Sequence, residues 1–218
     1  MFTRLIFKRR LLLFSPLLMC FVSFWASATT WQPIDASSTF LQQLSLAEGE
    51  HYQANYIQYR KLKVMKKPLV SSGHLVINAE NGLLWQQLKP LKQTLIVTSK
   101  SVRQLDSDDA DMSLPNAAEQ MINAWAPMMQ HVVLGEWSEL SQRFEILIAK
   151  DSSVEAWQIL LKPIDQQMKN ALLSIELSGS TALDNIKMHQ VNQDILTIQL
   201  LQAEPVTLSK QQLSWLND

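Results

Sequence analysis

Alternation of polar and apolar residues organises the first half of this chain. From His51 to Val64, Tyr52, Ala54, Tyr56, Leu62 and Val64 fall on one side of a period-2 pattern. His51, Gln53, Asn55, Lys61 and Lys63 fall on the other, which predicts a long, half-buried strand. Ile57 and Tyr59 on the polar side, and Gln58 and Arg60 on the apolar side, interrupt the pattern and predict a bulge. Pro68 to Gly73 reads as a connection. Leu75, Ile77 and Ala79 then share one face of a second strand, and Asn81-Gly82 is a hairpin signal. Leu83, Trp85 and Gln87 project one way along a third strand that stops before Pro90, and Thr94 to Thr98 gives a short fourth. Sequential strands joined by short turns predict an antiparallel meander.

Helical periodicity enters at three places. Asp35 to Ala47 predicts a short amphipathic helix, capped by Ser37 or Ser38, with Phe40, Leu41, Leu44 and Leu46 on its apolar face and Glu48-Gly49 ending it. Asn116 to Gln130 predicts a second helix, in which Met121, Ile122, Trp125, Met128 and Met129 form one wide stripe. That stripe serves either as a plain core face or as a lid over an apolar cavity, since Met adapts to irregular shapes. Pro127 is expected to kink or shorten this helix. Gly135 to Leu140 suggests a further turn. Five strands are then expected at Phe144–Ala149, Ala156–Lys162, Leu172–Gly179, Ile186–Gln190 and Ile195–Leu201. Pro163 to Asn170 and Leu208 to Leu216 are candidate short helices. No linker rich in Pro, Gly or Ser divides the chain, so residues 29–218 are expected to form one domain.

The N-terminus changes the picture of compartment and charge. Arg4, Lys8, Arg9 and Arg10 precede an apolar run from Leu11 to Trp25, and Ala26-Ser27-Ala28 is a small-x-small cleavage site. This is the layout of a secretory signal peptide over residues 1–28. The run of about 15 residues is short of the roughly 20 that span a bilayer. Cys20, the only cysteine, lies inside that run between Met19 and Phe21, a poor setting for lipid attachment. Cleavage after Ala28 leaves no thiol for a disulfide, a nucleophile or a metal site. It also removes four basic residues, so 15 Lys and Arg face 20 Asp and Glu for a net charge of −5, which does not suit nucleic-acid binding. The remaining 190 residues, 218 less 28, are enough to bury a core.

No catalytic constellation is visible. His51, His74, His131 and His189 are far apart in sequence and form neither HExxH nor HxH. No serine lies in GxSxG or SxxK, and Ser71-Ser72-Gly73 reads as a turn. Glu136 and Glu139 have the look of a solvated face rather than of paired glycosidase carboxylates. Counted from Asp106 as an EF-hand loop, the places of the required Gly and Glu hold Asp111 and Ala117, so Ser107 to Asp111 reads as a solvated acidic turn. Five glycines in the whole chain leave no phosphate-cradling loop. The sequence therefore predicts no enzyme, no metal and no cofactor.

Several of these features together resemble the LolA-like periplasmic carriers of outer-membrane lipoproteins, in particular their divergent LolA-related subgroup. Tyr56-Ile57-Gln58 stands where that family has Phe-x-Gln, Gly73 opens the next strand, and Trp85 precedes Pro90 as in the family's Trp-x4-Pro. The signal peptide, first helix, strands, middle helices and later strands follow the same order. The resemblance implies an α+β, mainly β fold. In it a curved antiparallel sheet forms an incomplete β-barrel, with a helical lid over a hydrophobic cavity. It implies a monomeric periplasmic carrier of acylated lipid or lipoprotein cargo, shuttling between an inner-membrane exporter and an outer-membrane acceptor. With the face assignments, it makes Tyr52, Tyr56, Leu62, Leu75, Ile77, Leu83 and Trp85 the cavity wall. Met121, Ile122, Trp125, Met128 and Met129 become the lid. One departure stands out: where the lipoprotein carriers have an Arg that latches the lid, this chain has Ala79, followed by Glu80. Ala cannot replace the guanidinium donors, which leaves another acyl lipid open as cargo. A non-enzymatic envelope module with a filled core is the other reading.

Overall fold

The computed structural model describes residues 29–46, 51–78, 80–113 and 116–217. The elements are β1 (Trp31–Pro33), α1 (Thr39–Gln42), β2 (His51–Lys61), β3 (Leu69–Asn78), β4 (Gly82–Lys89), β5 (Gln93–Val97) and β6 (Val102–Leu105), then α2 (Asn116–Leu134) and α3 (Trp137–Ser141). The second half holds β7 (Phe144–Ala149), β8 (Trp157–Pro163), α4 (Gln166–Lys169), β9 (Leu172–Gly179), β10 (Leu183–Gln190), β11 (Ile195–Pro205) and α5 (Lys210–Asn217).

The strands form one antiparallel sheet in the order β1-β7-β8-β9-β10-β11-β2-β3-β4-β5-β6. Two meanders, β2 to β6 and β7 to β11, are thus joined by the long β2–β11 pairing. The sheet is open, with β1 and β6 at its edges. Side chains alternate across it. The inner face carries Ala54 and Tyr56 of β2, Leu75 and Ile77 of β3, Leu83 of β4, Ile159 and Leu161 of β8, Ile175 and Leu177 of β9, and Ile186 of β10. With α2 these belong to a single buried cluster, so the sheet curls around one core. The expected α+β architecture, a curved sheet not closed into a barrel under a helix, is what the structure has. Ala79 lies outside the described residues.

Several local expectations need correction. β2 pairs with β3 without a register shift from His51 to Arg60, so the anticipated bulge near Gln58 is absent from that pair. Shifts fall instead at Ser72/Gly73 against β4 and at Leu201/Glu204 against β2. Pro68 to Gly73 is not a connection throughout, because β3 begins at Leu69 and Gly73 lies inside it. The first helix is one turn long, with the Ser38 hydroxyl accepting from the Leu41 amide at 3.3 Å, and residues 47–50 lie outside the described set. The middle helix does not end near Pro127 but runs on to Leu134. Burial of Met128, Met129, Val132 and Val133 in the core outweighs the missing proline N–H.

Two features were not anticipated. The outer face of β3 to β6 is also apolar, and Val76, Leu84, Ile96 and Leu105 are sealed there by Leu208 and by Leu216 of α5. Gly135, at φ +69°, ends α2, and its carbonyl accepts the Ser45 hydroxyl at 2.7 Å, which ties the N-terminal segment to the end of that helix.

Candidate functional site

The site grows from the inner face of β2. Tyr56 and Gln58 are two residues apart and share that face, while Ile57 points the other way. Tyr56 is 1% exposed and meets Trp85 edge to face, with ring centroids 5.1 Å apart. Burial pushes the Tyr56 phenol up to about 12, and the Trp85 indole only partly opposes this. Trp85 lies in register between Leu75 of β3 and Leu95 of β5. Tyr56 thus forms the floor on which the Trp85 ring is set.

Above Trp85 the packing between sheet and α2 is incomplete. Two adjoining pockets of about 240 and 330 Å³ meet there, sharing Gln58, Trp85, Ile122, Trp125 and Met129. The smaller extends over Leu83, Leu95, Val97 and Ala126, and its wall is almost wholly apolar. The larger reaches across to Met188, Leu196 and Ile198 of β10 and β11, with Arg60, Ala171 and Gln190 at its margin. Ile122, Trp125 and Met129 line it at i, i+3 and i+7, one stripe of α2. The result is an apolar slot between a helix and an aromatic-floored sheet, bordered by one cation and two side-chain amides.

Of the residues singled out from sequence, Leu83, Trp85, Ile122, Trp125 and Met129 come together around this slot. Tyr56, Leu75, Ile77 and Met128 lie in the packed core instead and do not line it. Tyr52 is half-buried at the start of β2, opposite Ile77 and Pro205. Leu62 follows the end of β2 and is half-buried outside the pocket walls. The side chain of Met121 lies outside the described residues. Sequence reasoning missed Gln58, Arg60 and Gln190, although the signal for the first two was present. They are polar residues on the apolar side of an alternating strand, and they lie on the slot rather than mark a bulge. Met188, Leu196 and Ile198 were missed because nothing local says that β11 pairs with β2.

Two larger depressions, of about 510 and 450 Å³, lie over β8, β9 and β10 beneath residues 29–31. Outward-facing Gln158, Ser178, Asn185 and Lys187 line them, so they offer no apolar enclosure. Candidate chemical groups are dispersed. Nδ1 of His131 contacts the Glu136 carboxylate, and Nε2 of His189 lies 3.0 Å from Glu176. The acidic turn binds its own neighbours, Asp109 to Lys92 at 2.8 Å and Asp111 to Arg103 at 3.1 Å. Among the described residues no three His, Cys, Asp or Glu converge as a metal site.

No family model matches the chain, and no curated protein matches it. Among solved structures it is similar to MucB in the Pseudomonas aeruginosa MucA/MucB complex, at 15% identity and a TM-score of 0.47 over 83% of this chain. The chain spans 60% of that MucB. It is also similar to a LolA superfamily protein from Nitrosomonas europaea, at 8% identity and a TM-score of 0.43, covering 79% of this chain and 94% of the other. A third is an outer membrane lipoprotein-sorting protein domain from Vibrio parahaemolyticus, at 6% identity and a TM-score of 0.36 over 78% and 92% of the two chains.

Proposed function

We propose that this protein is a carrier that holds an acyl chain in the slot between α2 and the sheet, and performs no chemistry on it. The observation that carries this reading is an apolar slot of about 330 Å³ floored by Trp85 and roofed by Ile122, Trp125 and Met129. An apolar opening of this kind between helix and sheet is the sort of concave site that takes a small ligand. The resemblance to the lipoprotein carriers supports the direction of traffic. Residues 1–28 serve as a cleaved signal, residues 29–218 fold as one monomeric domain in the periplasm, and the cargo moves from an inner-membrane exporter to an outer-membrane acceptor. Among the described residues no helix is long and apolar enough to cross a membrane.

The energetics suit reversible carriage. Each methylene moved from water into the slot gains about 0.8 kcal/mol. Ten of them would gain about 8 kcal/mol, against an association cost of about 4–15 kcal/mol. A chain held on these terms leaves when an acceptor offers a larger apolar site.

Native mass spectrometry of the protein as cells produce it, followed by titration with a fluorescent fatty-acid probe, tests the proposal. A lipid-sized adduct and a probe site weakened roughly tenfold or more by Ile122→Glu are expected, because a carboxylate in an apolar slot is poorly solvated. Absence of both adduct and probe binding from the wild-type protein refutes carriage and leaves the assembly module with a filled core.

A further inference from the structure

Three turns meet at the end of the sheet where the slot has its polar margin. Ile195 lies opposite Lys61, Arg60 opposite Leu69, and Ser72 opposite Lys89. The β2–β3 turn (62–68), the β4–β5 turn (90–92) and the β10–β11 turn (191–194) therefore share one end. Arg60, Gln190 and Leu196 of the slot lie just inside it.

Large apolar side chains stand in solvent at this end. Val64 is 88% exposed, Leu91 68%, Val70 51%, Leu69 48%, Leu88 46% and Met65 40%. They make up half of the exposed large hydrophobics among the described residues, gathered on two neighbouring hairpin tips. Such a concentration marks a contact surface. Lysines are interleaved with it: Lys61, Lys63, Lys66 and Lys67 on one tip, Lys89 and Lys92 on the other. Only Lys92 has an ion-pair partner among the described residues, Asp109 at 2.8 Å. Charge is segregated along the chain in the same sense. Between His51 and Leu105 nine Lys and Arg face one acidic residue, Glu80, while the acidic turn Asp106 to Asp111 adjoins this end at Lys92 and Asp194 lies in the β10–β11 turn. Glu80 lies in the β3–β4 turn, at the opposite end of these strands.

We propose that this end of the sheet docks on a bilayer surface rich in anionic phospholipid. Val64, Met65 and Leu91 enter the headgroup region, and the flanking lysines meet lipid phosphates. Val64, Met65 and Leu91 sit on turns, with Leu69, Val70 and Leu88 on the strand ends beside them, so they present points that can be immersed rather than a flat face to match another protein. Lysine stems lie along such apolar tips while their ammonium groups reach the phosphates. Each lysine near an anionic surface strengthens binding on the order of fivefold. In this pose the polar margin of the slot faces the membrane, so cargo would pass between bilayer and slot over a short path. Docking itself requires no cargo and stands apart from the carrier proposal.

Vesicle flotation tests it, using the protein as cells process it, with its N-terminus identified by mass spectrometry and identical in every variant. Binding to vesicles of phosphatidylglycerol and phosphatidylethanolamine is expected to exceed binding to phosphatidylcholine vesicles by roughly tenfold or more. Lys66→Gln with Lys67→Gln should weaken it by about 25-fold, a share that also vanishes at high salt, and separately Val64→Ser with Leu91→Ser should weaken it by about tenfold. Thermal unfolding of these variants should match wild type, because the altered side chains are exposed. Equal binding to neutral vesicles, unchanged binding by both variants, or no vesicle binding by the wild-type protein overturns the proposal.

Discussion

Gly73 and Tyr56 show how much the wall depends on single residues. Gly73 sits opposite Tyr56, at the register shift between β3 and β4. A Cβ there would lie 1.9 Å from the Gln86 carbonyl oxygen, a backbone atom that cannot rotate away. Gly73→Ala should therefore destabilise the fold by about 3 kcal/mol, the upper range for overpacking, as read by denaturant unfolding. An equal midpoint for G73A would show that β4 has room to move. Tyr56 makes the opposite prediction. Its buried hydroxyl makes no hydrogen bond of normal geometry, the Trp85 indole influencing it only weakly, so Tyr56→Phe should be neutral or stabilising by about 1 kcal/mol near pH 7. Its pKa is raised from 10.0 to about 12 on folding. The folded state therefore holds a proton that the unfolded chain releases, and stability falls as pH rises between those two values. Wild-type protein should lose stability across that window in an alkaline unfolding series, while Y56F should lose less. Parallel curves would mean that the phenol reaches water in the folded protein.

Elements were legible where one face is buried and the period is clean. The strand from Leu172 to Gly179 alternates, and its bounds match the expectation to the residue, as do those of Phe144 to Ala149, an apolar run whose last four residues are all buried. What the pattern did not show was a second covering layer over a strand, or a strand partner remote in sequence. Leu83-Leu84 and Leu95-Ile96-Val97 belong to strands sealed on both faces, and the second covering layer, α5, comes more than 100 residues later. An alternation argument assigns each strand one wet face and so misses that layer. β1 is three residues long and Val102–Leu105 four, too short to show a period. The slot was half legible. The α2 stripe and Trp85 are local signals, whereas its far wall, Met188, Leu196 and Ile198, depends on the β2–β11 pairing. Two element-level outcomes follow. Leu216→Ala should cost about 2–3 kcal/mol by opening the outer cluster, yet leave fatty-acid probe binding unchanged, since α5 lies on the face away from the slot. Pro127→Ala should raise stability by up to about 3 kcal/mol, because the helix already continues through that position. Loss of probe binding in L216A would mean that the two faces of the sheet are coupled. A destabilised P127A would show that the ring's packing outweighs the hydrogen bond it removes.

At the scale of the whole molecule, an open sheet with an apolar inner face is stable only if something covers that face. Here α2 covers it incompletely. Its C-terminal half is fully engaged, with Met128, Val132, Val133 and Leu134 buried and the Gly135 carbonyl held by Ser45. Ile122 and Trp125, one to two turns earlier, remain half-buried over the slot. On the carrier proposal, this uncovered apolar surface is where the ligand sits. By linkage, a chain that binds only the folded state must stabilise it, by about 2.7 kcal/mol at a hundredfold excess over Kd. For a domain of about 150–250 residues each kcal/mol shifts Tm by about 2–4 °C, so a saturating long-chain fatty acid should raise Tm by about 5–10 °C. Shorter chains should raise it less, because each lost methylene forfeits about 0.8 kcal/mol. Met129→Glu, which places a carboxylate in the slot, should abolish the shift. Leu213→Glu on the exposed side of α5 should keep it. If the shift survives in M129E and disappears in L213E, the ligand sits on the outer face. If chain length has no effect, the stabilisation does not come from burying methylenes.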